Sequence, residues 1–186
     1  AHHTLQMASI VFDRDVRDWP VTIALINSLS PLGFGSHMLG ALIEYARWRQ
    51  PVIVAAMAMA GMTGPVTLAG VLAMQNAELL TGITLAQLVA PGTPVLYGTV
   101  SSNVDLRTGA LAIGSPELSL LIAAHAQLAR FYGLPSRGGG ALTDASSPDA
   151  QAGFESMFSL LTAINSDIDL IIHAAGILSS FMAFSY

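Results

Sequence analysis

Residues 51–56 read Pro51-Val52-Ile53-Val54-Ala55-Ala56, a proline followed by five apolar residues without a polar interruption. A proline is tolerated at the first position of a strand, because no ladder hydrogen bond is lost there. An apolar run that does not alternate with polar residues is typical of a strand buried on both faces, as in a parallel sheet. The stretch therefore predicts a buried parallel strand.

The same pattern recurs along the chain. Pro20, Pro94 and Pro135 also stand at the entry to candidate strands. With Pro51 included, the interval from each of these four prolines to the next is the size of one βα unit with its connections. The strand after Pro135 is much less apolar than the others, and the last candidate has no leading proline. The predicted strands are 21–26, 52–56, 95–98, 136–141 and 170–173.

Helical patterns lie between the predicted strands. Ser115-Pro116-Glu117 and Ser147-Pro148-Asp149 each place a serine N-cap, a proline at the first helical position and an acid in the first turn. Gly133 followed by Pro135 is a typical helix stop. The predicted helices are 4–12, 36–49, 65 to about 89, 116 to the stop at Gly133, 149–165 and one that begins near Ile177.

This alternation predicts the α/β class, and within it a partial (β/α)8 TIM barrel made of about five βα units of a longer chain. A complete barrel typically takes about 250 residues, so residues 1–186 are expected to form an internal segment of a single barrel domain. The first residue is not methionine and the last residues continue an apolar pattern, which also favours a segment. A doubly wound open sheet is the alternative, although no G-x-G-x-x-G follows the first strand.

Composition excludes several functional classes. The chain is 53% hydrophobic and 10% charged, with a net charge of −5, and all seven of its basic residues are arginine. It has no basic stripe for a phosphate backbone, so we expect no nucleic-acid partner. The absence of cysteine excludes disulfides, thiolate zinc sites and a cysteine nucleophile within the 186 residues. A cytoplasmic location is expected.

Two uncharged runs, 51–77 and 79–104, are long enough to span a bilayer. Both are broken by Gly-Pro or Pro-Gly-Thr-Pro punctuation, both contain Thr, Gln, Asn or Ser, and their flanks lack clusters of basic residues. The start of the chain has no basic region followed by an apolar core, as a signal peptide would. We therefore expect no membrane association.

Several stretches resemble the trimethylamine methyltransferase family, among them Ile26-Asn27-Ser28-Leu29-Ser30-Pro31-Leu32 and Gln75-Asn76-Ala77-Glu78. The similar stretches run in one order from about Asn27 to the end, so the resemblance covers nearly the whole chain and is more specific than any single motif. The further stretches are 64–70, 95–98, 105–110, 114–117, 132–135, 137–140, 143–144, 148–155 and 173–176.

The resemblance implies a barrel enzyme that binds a methylated amine such as trimethylamine, glycine betaine, proline betaine or carnitine. It implies that one methyl group passes to Co(I) of a separate corrinoid protein, so the methylcobamide is carried by that partner and no cofactor is bound by this chain. Some family members use pyrrolysine, and its absence from these residues does not exclude such a member. A homo-oligomer is also expected. The alternatives are another barrel enzyme acting on small acids and a non-enzymatic binding or membrane protein.

Functional residues of such a barrel lie at the carboxyl ends of strands and in the βα loops. The chain has five histidines without a H-E-x-x-H or comparable pairing, which predicts no metal site. Which residues act catalytically is left open. The predicted substrate-binding residues are Asn27, Tyr97, Ser101, Asn103, Asp105, Arg137, Asp144 and His173.

A quaternary nitrogen has no N–H to donate, so its site relies on carboxylate charge and aromatic faces, where cation–π attraction contributes about 0.5 to 2 kcal/mol per contact. Asp105, Asp144 and Tyr97 fit these roles. Asp105 could instead cap a turn or pair within its loop, and Tyr97 could be a core residue whose hydroxyl finds one partner.

Arg137 could clamp a substrate carboxylate with two parallel hydrogen bonds, which would favour a betaine over trimethylamine. It could equally bridge neighbouring loops. His173 could position a substrate or be a hydrogen-bonded structural histidine. His125 lies on the apolar face of a predicted helix and is interpreted as a core histidine.

Overall fold

The computed structural model describes residues 1–17 and 19–185. Five helices are present among them: α1 (His2–Val11), α2 (Ser36–Arg47), α3 (Leu68–Val89), α4 (Pro116–Phe131) and α5 (Ala150–Asn165). The strands are β1 (Ala24–Asn27), β2 (Val52–Ala56), β3 (Met59–Ala60), β4 (Val95–Thr99), β5 (Ser102–Asp105), β6 (Ala110–Ala112), β7 (Ser136–Gly139), β8 (Leu170–Ile172), β9 (Ile177–Leu178) and β10 (Ala183–Phe184).

The five predicted strands form one parallel sheet in the order β1-β2-β4-β7-β8. Three of them begin directly after Pro51, Pro94 and Pro135, as predicted. Strand β1 begins three residues later than predicted. The backbone before β1 does not pair with β2 at Val21 and Thr22. Their N–H groups donate instead to the side-chain oxygen of Gln50, at 3.0 and 3.4 Å. The α/β class with a parallel sheet is confirmed.

The main helices pack beside one another in chain order, α2 on α3, α3 on α4 and α4 on α5. They cover one face of the sheet, which we call the helix face. Apolar strand residues on this face pack against helix residues such as Leu42 and Leu79 and are almost fully buried. Most of the hydrophobic core therefore lies between helices and sheet. The strand residues concerned are Ile26, Val52, Val54, Ala56, Val95 and Tyr97.

Two helix starts are fixed by side-chain caps. Thr67 accepts a hydrogen bond from the Gly70 N–H at 3.2 Å, so α3 begins after Thr67 and not at Pro65. Asp149 accepts one from the Ala152 N–H at 3.0 Å, which makes it the cap of α5 and not its first residue. A cap lies outside the helical backbone, so both predicted starts were slightly early.

The opposite face of the sheet, which we call the open face, carries the alternate strand positions. Gly98 lies there, and a Cβ at this position would come within 2.8 Å of Ile53 Cγ2. In the strand register Gly98 is the partner of Arg137. Leu25 on the same face is 38% exposed. The open face therefore combines close packing around Gly98 with accessible surface near the edge strand.

Two small sheets were not predicted. Strands β3, β5 and β6 form one of them, and β9 and β10 form an antiparallel pair. The predicted helix near Ile177 is wrong, because residues 177–178 belong to β9. The backbone that follows is left-handed at Ser179, Ser180 and Phe181, with φ of 48°, 51° and 74°, which no right-handed helix can contain.

Among the described residues, α3 is the one helix that is long and apolar enough to cross a membrane by length and composition. It packs against β2 and β4 between its neighbours α2 and α4, and Gln75 and Glu78 on it are buried. These are the contacts of a core helix in an α/β domain. The absence of membrane association and the cytoplasmic location stay predictions.

Candidate functional site

A cavity of about 330 Å³ opens on the open face, toward the edge where the parallel strands end. Asn27 ends β1, Met57 follows β2, Val100 follows β4 and His173 follows β8. Carboxyl ends of parallel strands meet at one edge of a sheet, which is where α/β proteins place their ligands. Three of the predicted site residues thus lie around one cavity. Its lining is Leu25, Asn27, Met57, Val100, Arg137, His173, Ser180 and Phe181.

Arg137 is the charged group of this lining and is 1% exposed. One guanidinium nitrogen, Nη1, donates to the Thr99 carbonyl oxygen at 3.3 Å, and Nε has no hydrogen-bond partner among the described residues. The ion pairs within residues 1–17 and 19–185 lie elsewhere. Burial lowers the pKa of Arg137 to about 10, so the side chain is still a cation at neutral pH. Arg137 is therefore a buried positive charge without a counter-ion among the described residues.

His173 follows β8 with a left-handed backbone, φ +67°. Its Nδ1 is buried without a hydrogen-bond partner in the described part of the chain, and its ring meets the ring of Phe181 edge-on at 5.2 Å between centroids. Burial and the positive charge of Arg137 lower the pKa of His173. Both effects favour the neutral imidazole, which has one ring N–H to donate.

Ser180 joins the cavity to a network behind it. Its Oγ lies 2.7 Å from the Leu111 carbonyl oxygen and 2.8 Å from Asp144 Oδ1. Asp144 also accepts hydrogen bonds from the N–H groups of Ile113 and Gly114, at 3.0 and 2.8 Å. The structure thus places Asp144, a predicted site residue, one hydrogen bond away from the cavity. Asp144 links the segment before α4 to the β9–β10 turn.

Tyr97 lies on the helix face, away from the cavity. Its hydroxyl donates to Asn76 Oδ1 at 2.8 Å, and its ring stacks on His125 with 4.6 Å between centroids. Burial raises the pKa of Tyr97. His125 is fully buried with Nε2 2.9 Å from the Tyr97 carbonyl oxygen, as interpreted from its helix position. Both are core residues in this structure.

Three further predicted residues lie on β5 of the β3-β5-β6 sheet or directly before it. Ser101 Oγ accepts a hydrogen bond from the Ala58 N–H at 2.9 Å. Asn103 Oδ1 accepts one from Ser115 Oγ at 2.6 Å. Asp105 is exposed and accepts from the N–H of Arg107 and the hydroxyl of Thr108, both at 2.9 Å, and these bonds lower its pKa. The structure does not bring these side chains into the cavity.

Glu78 was missed. Its side chain is almost fully buried on α3, and it accepts hydrogen bonds from Ser28 Oγ at 2.5 Å, Ser30 Oγ at 2.9 Å and the Leu32 N–H at 2.8 Å. It thus holds the loop that follows Asn27. A signal was available, because Glu78 is the single charged residue between positions 51 and 104.

Ser180 and Phe181 were also missed as cavity residues, because the chain was predicted to be helical there. Within the described residues, no group of three or more His, Cys, Asp or Glu side chains could hold a metal ion. The chemistry that the cavity offers is therefore a buried guanidinium, a neutral imidazole, an amide, a hydroxyl and an apolar wall.

The model of the trimethylamine methyltransferase family matches residues 1–186. A glycine betaine methyltransferase of Desulfitobacterium hafniense (strain Y51) is 54% identical over 188 residues, which cover 100% of this chain and 39% of that protein. A proline betaine:corrinoid methyltransferase of Eubacterium limosum is 41% identical over 92% of this chain and 36% of its own length. A trimethylamine methyltransferase of Methanosarcina thermophila is 43% identical over 93% and 36%. The chain thus spans less than two fifths of these relatives.

Proposed function

Because the chain belongs to the trimethylamine methyltransferase family, we propose that the protein transfers a methyl group from a tertiary or quaternary amine to Co(I) of a corrinoid protein. The family match over all 186 residues is the observation that carries this proposal. The relative at 54% identity is by name a glycine betaine methyltransferase, and another names a corrinoid in its reaction. The corrinoid partner, the absence of a cofactor on this chain and a homo-oligomeric state belong to the same proposal.

The proposal includes a (β/α)8 barrel of which residues 1–186 are one part. The parallel strands follow one another across the sheet in chain order, and the helices do the same on a single face. A doubly wound sheet would instead reverse its strand order and carry helices on both faces. This arrangement supports a barrel whose interior is the open face.

The cavity on the open face is the proposed amine site, with Asn27, Arg137 and His173 as substrate-binding residues. The corrinoid supplies a Co(I) nucleophile that accepts the methyl group. As the methyl carbon is transferred, its bond to nitrogen breaks and both bonding electrons stay on nitrogen. A quaternary ammonium leaves as a neutral tertiary amine and requires no proton, whereas a tertiary amine must already carry a proton on nitrogen, so that it leaves as a neutral secondary amine.

The residues of this chain therefore act by holding the substrate and not by exchanging protons with it. A substrate fixed by polar groups on one side of the cavity and apolar groups on the other has a defined C–N direction. Alignment of the reacting atoms and exclusion of water are the terms by which such a site raises the rate. Leu25, Met57 and Val100 supply the apolar wall.

The test is an anaerobic absorption spectrum of the full-length protein with free cob(I)alamin or a reduced corrinoid protein. Conversion of Co(I) to methyl-Co(III) is expected with at least one of trimethylamine, glycine betaine, proline betaine and carnitine. Omission of the amine is the control and should leave the Co(I) spectrum unchanged. Absence of methylation with all four amines would overturn the proposed function.

A further inference from the structure

We infer that the open-face cavity holds a carboxylate subsite built by Arg137 and His173, which selects methylated amino acids of the betaine type over methylamines without a carboxylate. The inference rests on the proposed function and names its substrate class. It concerns which end of the substrate the cavity binds and does not concern the methyl transfer itself.

Arg137 carries the first step of the argument. Removing a guanidinium from water is unfavourable unless it gains a counter-ion and hydrogen bonds. Among the described residues Arg137 has one hydrogen bond, to Thr99, and no carboxylate partner. Its Nε is buried without an acceptor among the described residues, and the side chain lines the cavity. A carboxylate ligand would supply both the missing charge and the missing acceptor, in the geometry that the planar guanidinium favours.

His173 supplies a second, independent observation. Its Nδ1 is also buried without a partner in the described residues, and it lines the same cavity. A neutral imidazole with its proton on Nδ1 would donate to the same anion as Arg137.

The rest of the lining suits the other end of a betaine. The wall contains Leu25, Met57, Val100 and the ring of Phe181, and none of the eight lining residues is acidic. Apolar side chains and an aromatic ring accept a trimethylammonium group, which has no N–H to satisfy. A cation without a carboxylate would meet the charge of Arg137 with nothing to compensate it. A zwitterion avoids this repulsion by placing its carboxylate on Arg137.

The decisive measurement is calorimetric binding to the full-length protein without any corrinoid. The ligand pair is glycine betaine and its carboxamide, in which an uncharged amide replaces the carboxylate. The two ligands have the same trimethylammonium group and nearly the same shape. We expect the carboxamide to bind roughly 10- to 100-fold more weakly, the range for loss of hydrogen bonds to a charged group. Equal affinity for the two ligands would overturn the inference.

A variant then assigns the discrimination to Arg137. Arg137→Met removes the charge at similar length and is expected to bring the two ligands to within about threefold of each other. Arg107→Met is the matched control, since Arg107 lies in the exposed β5–β6 turn, and it should keep the wild-type preference. Full discrimination by folded Arg137→Met would refute the subsite. If the variant does not fold, the wild-type ligand pair decides.

The methyl-transfer assay separates this inference from the proposed function. Methylation of cob(I)alamin together with equal binding of the two ligands would leave the function standing and overturn the carboxylate subsite. A strong preference for glycine betaine that is lost in Arg137→Met, without methyl transfer from any amine, would support the subsite and remove the proposed reaction.

Discussion

Glu78 on α3 accepts a hydrogen bond from the hydroxyl of Ser28, the residue that follows β1. With Ser30 and Leu32 as further donors, one carboxylate organises the loop between β1 and α2. The two sequence stretches that carry these residues are far apart in the chain and meet here. Asn27, which lines the cavity, is the residue before this loop, so the position of the cavity wall depends on a helix residue behind it.

Replacing Glu78 with glutamine should destabilise the protein by about 1 to 3 kcal/mol, because hydrogen bonds to a charged carboxylate are replaced by weaker ones to a neutral amide, whose NH2 group no longer accepts from Ser28 and Ser30. The amide oxygen can still accept from the Leu32 N–H, and the serine hydroxyls must reorient to accept from the NH2 group. Urea denaturation measures the change in the free energy of unfolding. Glu117→Gln at the start of α4 is the control and should cost less. Equal effects of the two substitutions would show that the loop does not depend on Glu78.

His125 should make stability depend on pH below neutrality. Burial lowers its pKa to about 4, against about 6.5 in the unfolded chain. Between these values the unfolded state binds a proton that the folded state does not, so stability is lost as pH falls from 6.5 toward 4, by up to about 3 kcal/mol. Above pH 6.5 this group contributes no slope. Unfolding free energies at pH 7, 6 and 5 should fall less steeply in His125→Gln, and an identical slope would contradict the assignment.

His173→Asn separates backbone strain from ligand contact. Asparagine tolerates the left-handed region better than most residues, so the unfolding free energy should stay within about 1 kcal/mol of wild type. Binding of glycine betaine should be retained, since the Nδ2 of asparagine lies as far along the side chain as the imidazole Nδ1 and can donate to the same anion. His173→Gly, which keeps the left-handed backbone without strain but has no donor, should weaken binding. Thermal melting and calorimetry measure the two quantities. Unchanged affinity in His173→Gly would remove His173 from the substrate site.

Asp105→Asn distinguishes the two interpretations of this carboxylate. In the structure Asp105 accepts hydrogen bonds from Arg107 and Thr108 within the exposed β5–β6 turn. The amide oxygen of asparagine can still accept from the Arg107 N–H, and its NH2 group can donate to the Thr108 hydroxyl oxygen, so the turn is kept and the rate of cob(I)alamin methylation should stay within about twofold of wild type. If Asp105 contacts the substrate ammonium instead, the rate with all amines should fall by about tenfold or more.

The strand pattern could be predicted because proline-led apolar runs leave few alternatives. The face to which each strand residue points could not. Val95, Leu96 and Tyr97 read as one continuous run, so nothing in the pattern shows that Tyr97 faces the helices while Gly98 faces the cavity side. Arg137 and His173, which line the cavity, could be singled out because charged or polar residues near strand ends stand out in an apolar chain.

The small sheets escaped prediction for a different reason. Strands of two to four residues, such as β3 and β5, are too short to show a period, and their pairing depends on distant segments. The left-handed turn at Ser179, Ser180 and Phe181 contains no glycine to announce it. Ser180 and Phe181 therefore reach the cavity through tertiary contacts that no local signal encodes.

In the proposed carboxylate subsite, the uncompensated charge of Arg137 would couple ligand supply to the lifetime of the folded protein. A ligand that binds the folded state alone stabilises it by mass action, by about 2.7 kcal/mol when its concentration is 100 times the dissociation constant. The same charge is unfavourable when the cavity is empty. Cells that accumulate the substrate would therefore retain more of the protein, and cells that exhaust it would lose the protein faster to proteolysis, without any change in gene expression.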